Sequence, residues 1–238
     1  MLLCELHAHT TWSDGELTVR ELVDLYGSAG FDVLCVTDHL LRPEAMHPGA
    51  RAVDAADWHD YADTVAGEAE RARIRYGMLV LCGLELTYDD PEPDLAAHVV
   101  AVGLDRLVTL EHGLGAALRE ARGAGAALIA AHPHGEAADP NPGRTTRRWY
   151  REQREARALV DRFEAINRMQ AFPWVVEAGL PVVASGDAHG PQHLATWKTL
   201  IACERTPEAV VGHLRSDRAV SLTPFAARDA AAAGAAAA

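Results

Sequence analysis

At 238 residues, with 49% hydrophobic and 24% charged side chains, the chain has material for a substantial core, as one large domain or two small ones. A formal net charge of −12 argues against a basic surface for long nucleic acid. No apolar run approaches the ~20 residues that cross a bilayer, and Cys4, Cys35, Cys82 and Cys203 show no CxxC spacing, which suits reduced thiols in a cytoplasmic protein.

The first predicted element is an apolar strand over residues 1–6, which argues against a signal peptide and leads into Leu6-His7-Ala8-His9. Side chains at i and i+2 share one face of a strand. His7 and His9 are therefore a candidate two-pronged metal claw, with Asp14 as a third prong, against the alternative of a chance His-x-His on a solvated strand end. A helix over 19–29 precedes a strand at 33–37 that ends in Thr37-Asp38-His39. Residues 40–54, rich in Pro and His, are irregular; a helix at 56–76 then leads to a strand at 78–84 that runs into Glu85. After an acidic turn at 88–94 come a strand at 98–102, a helix at 110–124 and a strand at 127–131 ending in Ala131-His132-Pro133-His134. A Pro/Gly/Arg loop at 135–148 is followed by a helix at 149–160, a strand at 162–166 and a helix at 169–178. The seventh strand, 181–185, ends in Ser185-Gly186-Asp187-Ala188-His189, and a helix at 207–215 follows.

Gly30, Gly77, Gly125 and Gly179 each follow a helical stretch, where a left-handed cap belongs. Repeated helix–glycine–strand punctuation implies parallel strands with helical crossovers, and so a closed or nearly closed β/α barrel ahead of an open doubly wound sheet. Beyond Arg228 the tail is nearly all alanine with no amphipathic face, and poor order is expected there. Of the 22 basic residues only Lys198 is lysine, which points to bias in the coding sequence; no role for Lys198 is read from the sequence.

Five of the seven strands deliver a His, Asp or Glu to the C-terminal edge, where β/α barrels build their sites from the ends of several strands. That convergence predicts a polynuclear metal site. In order and spacing, HAHTTWSDG, TDH, GLE, AHVVAVG, AHP and SGDAH resemble the motifs of the PHP (polymerase and histidinol phosphatase) family, from residue 1 to about 222. The resemblance is to the stand-alone metal-dependent phosphoesterases of that family. It implies a single-domain α/β fold, a distorted seven-stranded (β/α)7 barrel over residues 1–222, with 223–238 as a tail.

The resemblance also implies the ligands. His7, His9, Glu85 and Asp187 would hold one metal; Glu85, as a bridge, would share a second with His98 and His132; Asp14, His39 and His189 would hold a third. Imidazole and carboxylate donors suit Zn²⁺, Mn²⁺ or Fe²⁺ without choosing among them, so two or three divalent ions are expected. His98 stands at the start of its strand, and the family pattern alone places it in the site. The implied chemistry is hydrolysis of a phosphate ester of a small metabolite by a metal-activated hydroxide. Asp38, His134, Asp187 and His189 are the catalytic candidates, with Asp38 equally able to orient an imidazole. Arg144, Arg147 and Arg148 are candidates to grip substrate phosphate or, alternatively, a solvated cluster. Glu164 and Asn167 match a Glu-then-Asn pattern of the family, and Asn167 is a candidate substrate contact or a structural hydrogen bond. The rival readings are an exonuclease or phosphodiesterase acting on oligonucleotides, hydrolysis of an amide or lactone, and a non-catalytic module. A small phosphorylated partner is expected, with neither long nucleic acid nor membrane.

Overall fold

All seven apolar runs become strands of one curled sheet, and four more strands are added to them. The computed structural model describes residues 1–45, 49–135 and 146–226. The strands are β1 (Leu2–Glu5), β2 (Val33–Val36), β3 (His39–Leu41), β4 (Leu79–Tyr88), β5 (Ala97–Val102), β6 (Ala127–Ala131), β7 (Arg162–Asn167), β8 (Gln170–Ala171), β9 (Val182–Ser185), β10 (Trp197–Ile201) and β11 (Ser221–Pro224). Their order is β11-β10-β1-β2-β4-β5-β6-β7-β8, with β3 on β4 and β9 on β7. Buried along their whole length, β2, β5 and β6 have the continuous apolar character of strands covered on both faces.

The expectation of parallel strands throughout is corrected at β5. It runs antiparallel to both β4 and β6, whereas β1–β2, β2–β4, β6–β7 and β7–β9 are parallel. Only residues 89–96 join β4 to β5, too few for a helical crossover, so the chain doubles back. Of the expected closed or nearly closed barrel the sheet takes the unclosed form, with eleven strands rather than seven. The outer edge of β1 is occupied by β10, antiparallel, with Leu2 opposite Ile201. Consequently β1 and β9 form no ladder and meet at one bridge, Ala8–Ala188, just beyond both strands. β11 extends two residues past the expected boundary at 222, and the Phe225 ring packs 4.9 Å from that of Phe31. Residues 227–238, most of the alanine-rich tail, lie outside the described residues.

Helices α1 (Val19–Ser28), α2 (Trp58–Tyr76), α3 (Leu114–Gly123), α4 (Arg148–Arg151), α5 (Gln153–Leu159), α6 (Pro173–Glu177) and α7 (Pro207–Leu214) complete the fold. At the start of α1, Thr18 and Glu21 form a reciprocal capping box, and Val19, Leu22, Val23 and Tyr26 make its buried face. α2 stops at Gly77, whose left-handed φ of 64° carries no Cβ penalty. The helix expected at 149–160 breaks at Glu152 into α4 and α5, and that at 169–178 shrinks to α6 because β8 takes 170–171.

Two apolar clusters result. The larger fills the space between sheet and helices; the smaller, including Cys4, Leu6, Cys35, Val100, Ile129 and Val183, packs the concave interior. All four cysteines are free, and Cys4 and Cys35 are buried in that inner cluster. Among the described residues no helix is long and apolar enough to cross a membrane.

Candidate metal centre

Above the inner cluster, the strand ends bring the expected donors together. His7 and His9 follow β1, and their backbone is stitched to the chain after β9: His9 N–H donates to Ala188 O (2.8 Å) and Ala188 N–H to His7 O (3.0 Å). The two Nε2 atoms stand 3.0 Å apart. Glu85 Oε2 lies 3.3 Å from His7 Nε2 and 3.4 Å from His9 Nε2, and Asp187 Oδ1 lies 3.7 and 3.5 Å from the same atoms. Donors around a tetrahedral ion with bonds of about 2.0–2.1 Å stand about 3.3–3.4 Å apart. The spacing of His7, His9 and Glu85 therefore fits one divalent ion, with Asp187 beside both imidazoles.

A second group forms at the other oxygen of the same carboxylate. Glu85 Oε1 is 3.0 Å from His98 Nδ1 and 3.1 Å from His132 Nε2. His98 gets there because β5 is reversed: the start of an antiparallel strand lies at the same edge as the ends of its parallel neighbours, and His98 pairs with Thr87 and Ala131. The third group is Asp14, His39 and His189, with Asp14 Oδ1 3.4 Å from His39 Nε2 and 3.3 Å from His189 Nε2. His9 belongs to it too, its Nδ1 being 3.8 Å from Asp14 Oδ1. Glu85 thus links the first and second groups, and His9 the first and third.

Electrostatically the centre is a trap for positive charge. Burial alone would raise the Glu85 carboxyl, but His7, His39 and His98 outweigh it and hold it well below its usual range. Asp187 is held low in the same way, chiefly by His7 and His9. Conversely, burial would depress the imidazoliums, yet facing carboxylates, Glu85 foremost, lift His39 to about 10 and His98 to about 9. His9 goes the other way: burial, reinforced by the charge of His39, pushes it to about 3. Retained protons here occupy the place that a dication would take, and metal uptake would release them.

A further layer of side chains fixes the imidazoles. Glu164, fully buried, accepts from His7 Nδ1 (3.0 Å) and from Ser185 Oγ through one oxygen. Its other oxygen accepts from the His132 backbone N–H (2.6 Å) and Asn167 Nδ2 (2.7 Å). Asp89 Oδ1 sits 3.0 Å from the outward nitrogen of His98, and Thr87 Oγ1 2.7 Å from His39 Nδ1. Such partners set which ring nitrogen faces the ion. His132, Arg168 and Asp187 have positive φ (28°, 53° and 42°), the only non-glycine residues that do so among those described, which places backbone strain at the centre.

The remaining candidates fall out unevenly. Asp38 is buried and accepts from Thr10 N (2.8 Å), Thr10 Oγ1 (2.8 Å) and Ser13 Oγ (2.6 Å), so it organises the loop that carries His9 and Asp14. His134 is buried, its ring 6.3 Å from that of His132 and edge-on to Phe172. Arg147 pairs with Asp94 (3.2 Å) and Arg148 with Glu152 (3.0 Å), so both guanidinium forks are turned to carboxylates of the chain. Arg144 lies outside the described residues. Asn167 makes the structural bond to Glu164. The arginine at the centre is one the sequence did not single out. Arg168 Nη2 is 3.2 Å from Asp187 Oδ2 and 3.0 Å from His189 Nδ1, with Nη2 and Nε also donating to Asp187 O. Its one signal was its place directly after Asn167.

The PHP domain family model matches residues 5–166. The chain belongs to the PHP family. A Bacillus subtilis DNA polymerase/3'-5' exonuclease, PolX, is 26% identical over 136 residues, covering 45% of this chain and 22% of its own length. Among solved structures, the chain is similar to a two-domain protein from Bacteroides vulgatus containing a predicted PHP-like metal-dependent phosphoesterase. The TM-score is 0.70 at 21% identity, over 94% of this chain and 65% of that one. It is also similar to an amidohydrolase from Chromobacterium violaceum solved with bound sulfate and no metal, with a TM-score of 0.54 at 17% identity, over 79% of this chain and 88% of that one. The PHP chain thus spans about a fifth of PolX and two thirds of the Bacteroides protein.

Proposed function

We propose that this PHP chain is a metal-dependent hydrolase of phosphate esters, and that its substrate is a small phosphomonoester such as a nucleotide or sugar phosphate. The observation that carries the reading is the set of three interlocked donor groups joined through Glu85 and His9. When bound, divalent ions supply Lewis acidity to the phosphoryl oxygens and lower the pKa of water. His7, His9, Glu85 and Asp187 would hold one ion, Glu85, His98 and His132 a second, and Asp14, His39 and His189 a third. The mixed donors suit Mn²⁺, Zn²⁺ or Fe²⁺.

The chain's own part is to bind, orient and move protons. Arg168, about 39% exposed at its side chain, is the guanidinium that meets the donor groups among the described residues, and is the proposed grip on the phosphate. His134, beside His132, is the proposed proton donor to the leaving oxygen. Asp38 acts by orientation. A second reading, cleavage at oligonucleotide ends, is favoured by the similarity to PolX and disfavoured by the net charge of −12.

The test is a phosphate-release screen over mononucleotides, sugar phosphates and short oligonucleotides, with protein loaded separately with Mn²⁺ and Zn²⁺. Release from monoesters, abolished in His7→Ala and Asp187→Ala, is the expected result. Release from oligonucleotides alone would install the second reading, and a screen silent with both metals, or release that persists in both variants, would sink both.

A further inference from the structure

The seam between β1 and β9 is where the metal-centre reading makes its greatest geometric demand. β1 delivers His7 and His9, β9 delivers Asp187 and His189, and between the two strands there is only the Ala8–Ala188 bridge. Directly beneath that bridge lies an ion pair with both partners fully buried, Glu5 and Lys198. We propose that Glu5 and Lys198 are a positioning pair that holds the two ligand-bearing arms in register across the seam. This inference rests on the metal-centre reading above.

The contacts of Glu5 define the function. One oxygen accepts from the backbone N–H of Leu6 (3.1 Å) and His7 (3.3 Å) on one arm and of Gly186 (2.8 Å) on the other. The second accepts from Tyr26 Oη (3.1 Å) and from the Lys198 ammonium. A single carboxylate therefore grips the residues next to His7 and to Asp187 while leaning on α1 and β10. Lys198 spends its remaining protons on Thr196 Oγ1 (2.8 Å) and His193 O (3.1 Å), so all three donors are used. Next to it on β10, Thr199 Oγ1 accepts from Ala184 N (2.9 Å) and donates to Ala184 O (2.7 Å), standing in for the ladder that β9 lacks on this side.

Two observations separate this pair from ordinary packing. A buried ion pair is a poor route to stability, because desolvation offsets the attraction and an apolar pair of the same shape does as well. Geometric specificity, which buried pairs supply in some proteins, is the role proposed for this one. Moreover, Lys198 is the only lysine beside 21 arginines. A Cβ on Gly186 would already overlap both the Glu5 carboxylate and the Lys198 ammonium. At so close an approach a planar guanidinium is not an equivalent replacement for the ammonium.

The experiment is Co²⁺ titration of the full chain, read by visible ligand-field absorption and by chelator competition, with circular dichroism and melting of each metal-free protein. Glu5→Gln/Lys198→Met should stay folded while its Co²⁺ Kd rises at least tenfold and its visible band changes shape. Lys198→Arg should not restore either. A folded double variant, or Lys198→Arg, with wild-type Kd and band would overturn the proposal. Wild-type protein that takes up no Co²⁺ would remove the metal-centre reading instead. Should neither variant fold, the wild-type protein decides: saturation with Co²⁺ should slow acylation of Lys198 at least tenfold relative to the Met1 amine. Equal slowing of both amines would overturn the pair's link to the centre.

Discussion

Replacing Glu164 with glutamine isolates what the layer behind the donors contributes. Four donors converge on its two oxygens: His7 Nδ1 and Ser185 Oγ on one, His132 N and Asn167 Nδ2 on the other. Glutamine keeps the shape but offers one accepting oxygen and an NH₂, so at least one donor must face another donor in a site with no exposure. An unsatisfied buried group costs about 1–3 kcal/mol. At roughly 2–4 °C per kcal/mol for a chain of this size, metal-free Glu164→Gln should melt about 2–12 °C below wild type. Lost orientation of His7 adds a separate effect on binding, typically 10–100-fold in metal affinity, or about 1.4–2.7 kcal/mol. Differential scanning calorimetry of metal-free protein reads the first effect and chelator competition with Zn²⁺ the second. A variant whose Zn²⁺ Kd stays within twofold of wild type would refute the assignment of Glu164 to the centre, whatever its melting temperature.

Other predictions follow from neighbouring geometry. Glu85→Ala, which removes the carboxylate shared by two donor groups, should lower metal content by more than one ion per chain, against one at most for Asp14→Ala; inductively coupled plasma mass spectrometry counts them. Arg168→Ala should raise KM for a phosphomonoester at least tenfold with a smaller change in kcat, and the reverse pattern would remove it as a phosphate contact. The folded-state pKa values of His39 and His98, about 10 and 9, lie above the unfolded value near 6.5. Their stabilisation is therefore complete below pH 6.5 and is lost as pH rises through 9–10. The metal-free protein should melt lower at pH 10 than at pH 6.5, whereas metal affinity should climb over the same interval. Burial raises the thiols of Cys4 and Cys35 and pushes Cys82 up to about 12, so iodoacetamide at pH 8 should leave these three largely unmodified until guanidinium is added.

What the sequence could and could not announce follows from how far each interaction reaches along the chain. The strand-end donors were legible because a parallel strand puts its last residues at one edge by rule, and only His98 broke that rule. Its position required knowing that β5 runs backwards, a consequence of the short 89–96 link that is visible only once β4 is seen to extend to Tyr88. The arginines show the opposite failure. Arg147 and Arg148 were attractive by proximity to His132, yet Asp94 and Glu152 engage them, while Arg168 reaches the donors from the end of a different strand. Charge alone could not separate these three, since the difference lies in which carboxylate each meets. Lys198 is the extreme case, because its partner Glu5 is 193 residues away and the strand that carries it, β10, is not among the seven apolar runs, the family resemblance leaving a helix or a strand open there. The added strand and the unassigned lysine share one cause: β10 occupies the edge of β1 that a closed barrel would give to β9, and the seam left open there has to be held by side chains rather than by a ladder.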